Sequence, residues 1–179
     1  YISQGSKLKA RTFKVIDCGN YGWEEFVESK PCSDMQQLRN YYYRFGELIL
    51  QNYILNANDL HEENVIAYGE YPIVIDAETI LDNHIELSKQ NSREIINEKI
   101  RDSVLFSGLL PNYRFSNKGK GIDMSAIMGK EGDEYPILIP RIAEIGTSNM
   151  HYEYVHPIKT ANNNLATLNG KFIAPAPFI

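Results

Sequence analysis

Residues 58–78 combine two short apolar runs with polar residues at both ends, and this stretch limits what the rest of the chain can fold into. The runs 65–68 and 73–75 are rich in β-branched and aromatic residues, and turn-forming residues lie between them. Such a pattern predicts a β-hairpin. Because a hairpin brings its two ends together, we expect the residues before its first strand to face those after its second.

The polar residues at the two ends are ones that bind metals and transfer protons. Asp59, His61 and Asn64 precede the first predicted strand, and Asp76 and Glu78 follow the second. Together they would form a cluster of oxygen ligands with one imidazole. Magnesium held by one or two carboxylates, waters and substrate phosphates fits this set of groups. The sequence therefore predicts a magnesium site at the open end of the hairpin.

The spacing of these residues matches that of a phosphoryl-transfer site. In protein kinases, a catalytic Asp is followed five residues later by an Asn ligand, and a magnesium-binding Asp follows the next hairpin. Here Asn64 lies five residues after Asp59, and Asp76 lies seventeen residues after it. Asp76 and Glu78 alternate along a predicted strand, so both should point to one face and repel each other unless a cation lies between them.

Each of these residues also has an ordinary structural interpretation. Asp59 or Asn64 alone would often bind backbone N–H groups of its own loop. His61 alone would more often be a structural histidine. Glu62 and Glu63 are expected to be solvated, unless one of them packs against a basic neighbour.

Composition and charge exclude several functional classes. The chain has 179 residues, of which 43% are hydrophobic, and this suits one domain or a piece of a larger one. It begins with Tyr1 instead of Met, which is compatible with an internal fragment. A net charge of −5 without a basic stripe argues against nonspecific nucleic-acid binding. We see no transmembrane segment and no signal peptide. Cys18 and Cys32 resemble ordinary thiols of a reducing compartment, which predicts a cytoplasmic protein.

A long amphipathic helix is predicted to lead directly into the Asp59 loop. Ser33 with Gln36 forms a capping-box pattern at its start. The apolar positions then follow at spacings of three or four as far as residue 55: Met35, Leu38, Tyr42, Phe45, Ile49 and Tyr53.

Three other features are predicted outside this helix. Trp23 and Phe26 are expected to be core anchors, because large aromatic side chains usually pack. A second helix is expected to begin at Ser92 and to run to about Phe106. Asn169-Gly170 is a type I′ turn signal between two short strands.

Several stretches together carry a resemblance to a known family. YGWEEFV at 21–27, YYYRFGEL at 41–48 and DLHEENVIAYGEYPIVIDAET at 59–79 are the strongest, and GLLP at 108–111 and DMSA at 123–126 suit the same pattern. They resemble the dehydratase domain of class II lanthipeptide synthetases, the LanM type.

The resemblance implies an α+β fold like that of protein and lipid kinases. Residues 1–30 would be the end of the small lobe and the hinge, and residues 31–179 would be the large lobe with insertions. The ATP-binding Lys is expected well upstream of the 21–27 stretch, before the first residue of this chain, and the residues for elimination are expected beyond Ile179. The chain is therefore expected to be a central segment of the dehydratase domain.

The resemblance also implies an activity. Such an enzyme uses ATP and magnesium to phosphorylate Ser and Thr of a leader-bearing precursor peptide, and then eliminates phosphate to leave dehydroamino acids. Zinc is expected only in a cyclase domain of full-length members, which we do not expect in this chain. Precursor peptide and nucleotide are thus the implied partners.

Matching positions suggest a role for each residue of the predicted site. Asp59 would accept the proton of the substrate hydroxyl or orient that hydroxyl. His61 would contact the transferring phosphate or the leaving group. Asn64 and Asp76 would bind the magnesium that bridges the nucleotide phosphates. Glu78 would be a second metal-binding carboxylate or would assist elimination.

Three other functions are compatible with the same residues. A lipid-kinase-like phosphotransferase uses a similar loop, although Glu78 replaces the Gly that normally follows its magnesium-binding Asp. A metal-dependent hydrolase would use His61, Asp59 and Asp76 as direct ligands. A noncatalytic peptide-binding module would need none of them.

Overall fold

The computed structural model describes residues 8–81, 91–111, 113–115, 121–130, 132, 134–135, 137–159 and 163–175, except for the side chains of Arg93 and Arg114. Within these ranges the chain forms two α-helices, a short 3₁₀ helix and ten strands paired as five antiparallel hairpins. The predicted mixture of helices and hairpins is confirmed. The kinase-like arrangement of lobes stays a prediction.

The elements follow one another along the chain as hairpins separated by the helices. The helices are α1 (Met35–Ile54), α2 (Ser92–Arg101) and the 3₁₀ helix (Val104–Ser107). The paired strands are β1 (Val15–Asp17) with β2 (Gly22–Glu24), β3 (Val65–Tyr68) with β4 (Tyr71–Val74), β5 (Tyr113–Phe115) with β6 (Gly121–Asp123), β7 (Ile139–Ala143) with β8 (His151–Val155), and β9 (Thr167–Leu168) with β10 (Lys171–Phe172).

Helix α1 begins one residue later than the sequence pattern predicts. Asp34 is the N-cap, and its carboxylate accepts a hydrogen bond from the Gln37 amide at 2.8 Å. The Gln37 side chain in turn accepts from the amide of Ser33 at 3.0 Å. The predicted pair Ser33 and Gln36 is therefore wrong by one residue, because Asp34 also caps well and adds a negative charge at the positive end of the helix.

The middle of α1 supplies the apolar contacts of the core. Leu38, Tyr41 and Phe45 are each at most 1% exposed. Met35 and Tyr53, predicted to be on the buried face, are 45% and 48% exposed. Both lie beyond the part of α1 that makes the apolar contacts. The core residues that pack with the helix come from the loops and strands around it: Ala57, Leu60, Val65, Ala67, Leu109, Ala126, Ile127 and Ala166.

The hairpin β3–β4 is fastened to α1 by a partly buried ion pair. Arg44 donates to the carboxylate of Glu70 at 2.8 Å and to its backbone carbonyl at 2.9 Å. Asn40 also donates to this carboxylate, at 2.6 Å. The hydrogen bond from Arg44 holds the pKa of Glu70 below its ordinary value. The hairpin therefore keeps a fixed position on the helix while Glu70 is ionised.

Glu70→Gln is expected to lower the opening free energy of this hairpin by about 1 to 2 kcal/mol at neutral pH, since a charged hydrogen bond is lost. Because the folded pKa of Glu70 is lowered, its contribution is present above the unfolded pKa and is lost as pH falls through the folded one. Hydrogen exchange of residues 65–74, corrected for intrinsic rates at each pH, measures both effects. If the opening free energy of the Glu70→Gln variant depends on pH as that of the wild type does, ionised Glu70 does not stabilise the hairpin.

The first hairpin departs from prediction in its burial. Gly19 turns the chain with φ +84° between β1 and β2. Trp23 is 66% exposed and Phe26 is 85% exposed, so the prediction that they are core anchors is wrong. Within the described residues, β1 and β2 pair with each other, and Trp23 meets Tyr21 edge to face at 6.4 Å. Aromatic size alone did not identify the core here.

Helix α2 is shorter than predicted. Asn91 caps its start in a capping box with Glu94, and the helix ends at Arg101. Ser103 then accepts the Leu105 amide at 3.2 Å and begins the separate 3₁₀ helix, so the predicted single helix to Phe106 is wrong. A serine side chain that binds the next turn competes with helix continuation. No helix in the described parts of the chain has the length and apolar character to cross a membrane.

Candidate active site

The hairpin β3–β4 forms where the sequence predicts it and joins the two polar segments. Val65 pairs with Val74, which sets the register of the strands. Beyond them, the amide of Ile75 donates to the carbonyl of Asn64 at 3.0 Å. Segments 58–64 and 75–79 therefore lie side by side at the open end of the hairpin.

A second pair of contacts ties the outer ends of these segments together. The amide of Asn58 donates to the carbonyl of Thr79 at 3.3 Å, and the Thr79 hydroxyl donates to the carbonyl of Asn58. Asp59 follows Asn58 directly, and Glu78 precedes Thr79. The fold thus brings the predicted catalytic Asp and the predicted second carboxylate to the same end of the molecule.

Asp59 has a backbone conformation that few residues adopt. Its φ is +59°, in the left-handed region, where Asp and Asn are tolerated better than most residues with a Cβ. Its side chain is 62% exposed, whereas the next residue, Leu60, is buried at 1%. This sharp turn places the Asp59 carboxylate toward solvent while Leu60 anchors the loop in the core.

Gly108 allows the chain to pass close behind this loop. The amide of Leu60 donates to the carbonyl of Ser107 at 2.8 Å. Gly108 has φ +82°, and a Cβ there would lie 3.1 Å from the backbone N and C of Leu60. Only glycine combines that φ with that approach without strain.

His61 is held by its backbone and by one ring nitrogen. It forms an antiparallel bridge with Ser125, and the amide of Glu62 donates to Met124 at 3.1 Å. Its Nδ1 accepts from the amide of Glu63 at 3.2 Å. In the neutral ring the proton therefore lies on Nε2. That nitrogen is 3.9 Å from the Asp59 carboxylate, so Nε2 faces the candidate site.

Asn64 and Asp76 present oxygen atoms at the same end. The Asn64 amide nitrogen donates to the carbonyl of Asp59 at 2.8 Å, so its side-chain oxygen is the atom left for a cation. Asp76 accepts the amide of Glu78 at 3.3 Å through one carboxylate oxygen. That contact closes a turn, and β4 ends at Val74. The prediction that Asp76 and Glu78 alternate along a strand is therefore wrong, because the Asp76 side chain competes for the backbone.

Asn64 and Asp76 are the side chains at this end of the hairpin that could hold a metal ion. Within the described residues, no three His, Cys, Asp or Glu side chains converge to hold a metal ion. A hydrolase that binds its metal through His61, Asp59 and Asp76 requires such convergence. Magnesium bound mainly by phosphates and water needs only one or two side-chain oxygens, which Asn64 and Asp76 can supply.

Glu62 is buried, contrary to the prediction that it is solvated. It is 3% exposed, and its Oε1 accepts from the hydroxyl of Tyr135 at 2.9 Å. The same hydroxyl lies 3.3 Å from Oε1 of Glu63. The partner is a phenol from a distant segment and not a basic neighbour, so local sequence gave no indication of this contact.

The segment after β6 supports the candidate site and was not predicted to do so. Asp123 accepts the amide of Ser125 at 2.9 Å in a tight turn. The carbonyls of Gly108 and Leu109 accept from the amides of Ala126 and Ile127, each at 3.2 Å. An Asp two residues before a Ser is a recognisable turn signal, but its packing against His61 depends on residues far apart in sequence.

Comparison with known proteins places these observations in a family. The family model described as "Domain of unknown function (DUF4135)" matches residues 1–179. The "Lacticin 481/lactococcin biosynthesis protein LcnDR2" of Lactococcus lactis subsp. lactis is 39% identical over 135 residues, which cover 72% of this chain. The matched part is 14% of the length of that relative.

Proposed function

This chain belongs to the DUF4135 family, the domain found in LanM-type lanthipeptide synthetases, and on that premise we propose that it contributes the phosphoryl-transfer site of an ATP-dependent peptide dehydratase. The substrate is a precursor peptide with a leader. Its Ser and Thr side chains are phosphorylated, and the phosphate is then eliminated to give dehydroalanine or dehydrobutyrine. We assign the chain to the large lobe of a kinase-like fold, with residues 1–30 at the end of the small lobe.

The observation that carries this proposal is the pairing of segments 58–64 and 75–79. Backbone hydrogen bonds between Asn64 and Ile75, and between Asn58 and Thr79, bring together residues that are far apart in sequence. The two segments carry one imidazole, one amide and three carboxylates, and these are the residues that kinase-like spacing indicates for catalysis and magnesium binding. The pairing thus supports phosphoryl transfer over a purely structural loop.

Each residue then has a task in the transfer. Asp59 orients the substrate hydroxyl and accepts its proton, for which its exposed carboxylate is suitably placed. His61 directs Nε2 toward the same opening and contacts the phosphate being transferred. Asn64 links the two segments through its backbone carbonyl, which accepts from the amide of Ile75, while its side-chain nitrogen holds the Asp59 carbonyl within the first segment.

Magnesium fits the oxygen atoms that remain. Asn64 and Asp76 would hold it, and Glu78 would supply a second carboxylate beside it. When bound with ATP, the ion neutralises charge that develops on the phosphates. Both cysteines are free thiols, which suits the cytoplasm, where ATP and magnesium are available.

The intact protein that contains this chain provides the test. It is incubated with its precursor peptide, ATP and magnesium, and the peptide mass is followed. We expect loss of one water for each modified Ser or Thr, and chelation of magnesium should stop it. Asp76→Asn is expected to lower the rate by about 100-fold and to raise the magnesium concentration needed for half-maximal rate.

Asp17→Asn is the matched control, because Asp17 is an exposed residue of β1. It should leave both the rate and the magnesium requirement unchanged. Dehydration that continues after chelation, or an Asp76→Asn variant with the wild-type magnesium requirement, would contradict the metal assignment.

A further inference from the structure

The carboxylate of Glu62 is buried directly behind the ring of His61. The side chain is 1% exposed. Its Oε2 has no hydrogen-bond partner within the described structure and lies 4.0 Å from Nδ1 of His61. Gly129 packs against it, since a Cβ there would be 3.0 Å from Cβ of Glu62. A buried carboxylate oxygen without a hydrogen bond is costly, so stability alone does not account for this residue.

Tyr135 fixes the orientation of this carboxylate. Its hydroxyl donates to Oε1 of Glu62 at 2.9 Å. Its backbone is held on both sides, because its amide donates to Pro157 at 2.8 Å and its carbonyl lies 2.9 Å from Nδ1 of His156. Burial, and then the hydrogen bond to Glu62, raise the pKa of Tyr135. The phenol therefore stays protonated and remains a donor.

The two nitrogens of His61 face different surroundings. Nδ1 lies on the buried side, 3.2 Å from the amide of Glu63 and 4.0 Å from Glu62. Nε2 lies on the open side, 3.9 Å from the exposed carboxylate of Asp59. If the ring turned over about its Cβ–Cγ bond, a carbon would replace Nδ1, and the Glu63 amide would lose its acceptor.

We propose that Glu62 and Tyr135 are positioning residues that keep the His61 ring oriented with Nε2 toward Asp59 and the transferred phosphate. The proposal rests on the phosphoryl-transfer function given above. Tyr135 holds the carboxylate, the carboxylate fills the space behind the ring, and the Glu63 amide completes the buried side. The segment around Tyr135 thereby acts on the reaction without touching the substrate.

The test compares Glu62→Ala and Tyr135→Phe with Tyr154→Phe in the intact protein. Tyr154 lies in β8, is 69% exposed and undergoes the same loss of a hydroxyl as Tyr135. We expect Glu62→Ala and Tyr135→Phe to lower kcat for phosphorylation by about 10-fold or more, with KM for the peptide within about twofold. Tyr154→Phe should change neither.

A double-mutant cycle with His61→Ala distinguishes positioning from general destabilisation. If Glu62 acts through His61, Glu62→Ala should have little further effect on kcat once the ring is absent. If the rate of the double variant falls below detection, the same cycle measured by chemical unfolding gives the coupling free energy between Glu62 and His61. A wild-type kcat in Glu62→Ala, or additive effects in both cycles, overturns the proposal. By contrast, an unchanged rate in His61→Ala would contradict the proposed function itself.

Discussion

Asp59→Asn is expected to slow phosphorylation of the precursor peptide by about 100- to 10,000-fold, because the substitution removes the carboxylate that we propose accepts the hydroxyl proton. The substitution should leave the fold intact. Asn tolerates the left-handed φ of +59° as well as Asp does, and the side chain is 62% exposed. Mass spectrometry of the peptide after defined times measures the fraction that is phosphorylated or dehydrated.

The choice of Asn instead of Ala separates catalysis from backbone strain. Ala at this φ would add a conformational cost of its own. Asp102→Asn is a suitable control, because Asp102 is an exposed residue just after α2. Phosphopeptide that still forms at the wild-type rate in Asp59→Asn would show that Asp59 does not have the assigned role.

Asn164→Ala is expected to lower the local opening free energy by about 2 to 4 kcal/mol, since a buried donor and acceptor are lost together. Asn164 is 1% exposed. Its amide nitrogen donates to the carbonyls of Ala126 and Gly129 at 2.9 and 3.0 Å, and its side-chain oxygen accepts from Lys159 at 3.2 Å. Tyr41 of α1 donates to its backbone carbonyl at 3.1 Å.

The lower opening free energy of Asn164→Ala should also be seen at the candidate site. The segment that Asn164 holds includes the residues that pair with His61 and Glu62. Hydrogen exchange of residues 59–67 and 124–130 in the intact protein measures the effect. Asn163→Ala is the matched control, because that side chain is exposed and its contact with Ala67 is through the backbone. Equal exchange in the two variants would rule out the role assigned to the Asn164 side chain.

Local sequence signals predicted the hairpins that close through tight turns. Asn169 and Gly170 have φ of +52° and +72°, as the type I′ turn requires, and the strands on either side pair as predicted. The hairpin β3–β4 and the long helix before the Asp59 loop also form where expected. In these cases the preferred backbone conformation of a few adjacent residues decides the structure.

Predictions that depended on distant contacts succeeded less often. Glu62 was predicted to be solvated, but it is buried and accepts a hydrogen bond from the distant Tyr135. Arg44 is buried within the apolar helix face because Glu70 lies opposite. In each case burial is set by a partner that the local pattern does not contain.

The roles assigned to the site residues stay predictions, and what the structure shows is the pairing of the two segments that carry them. The predicted hairpin indicated that Asp59 and Asn64 would face Asp76 and Glu78, and β3–β4 brings segments 58–64 and 75–79 side by side. The turn at Asp76 was not foreseen, because an Asp side chain can bind its own backbone or continue a strand with little local difference.

The backbone contacts of the Asp59 loop have a consequence for how the chain matures during translation. The amide of Leu60 donates to the carbonyl of Ser107, and the amide of Glu62 donates to the carbonyl of Met124. A ribosome adding about 5 to 20 residues per second needs several seconds to reach these later partners. The β3–β4 strands can pair early from local residues. The loop beside them can form its backbone contacts only after these residues have been made, so the candidate site is completed after the hairpin.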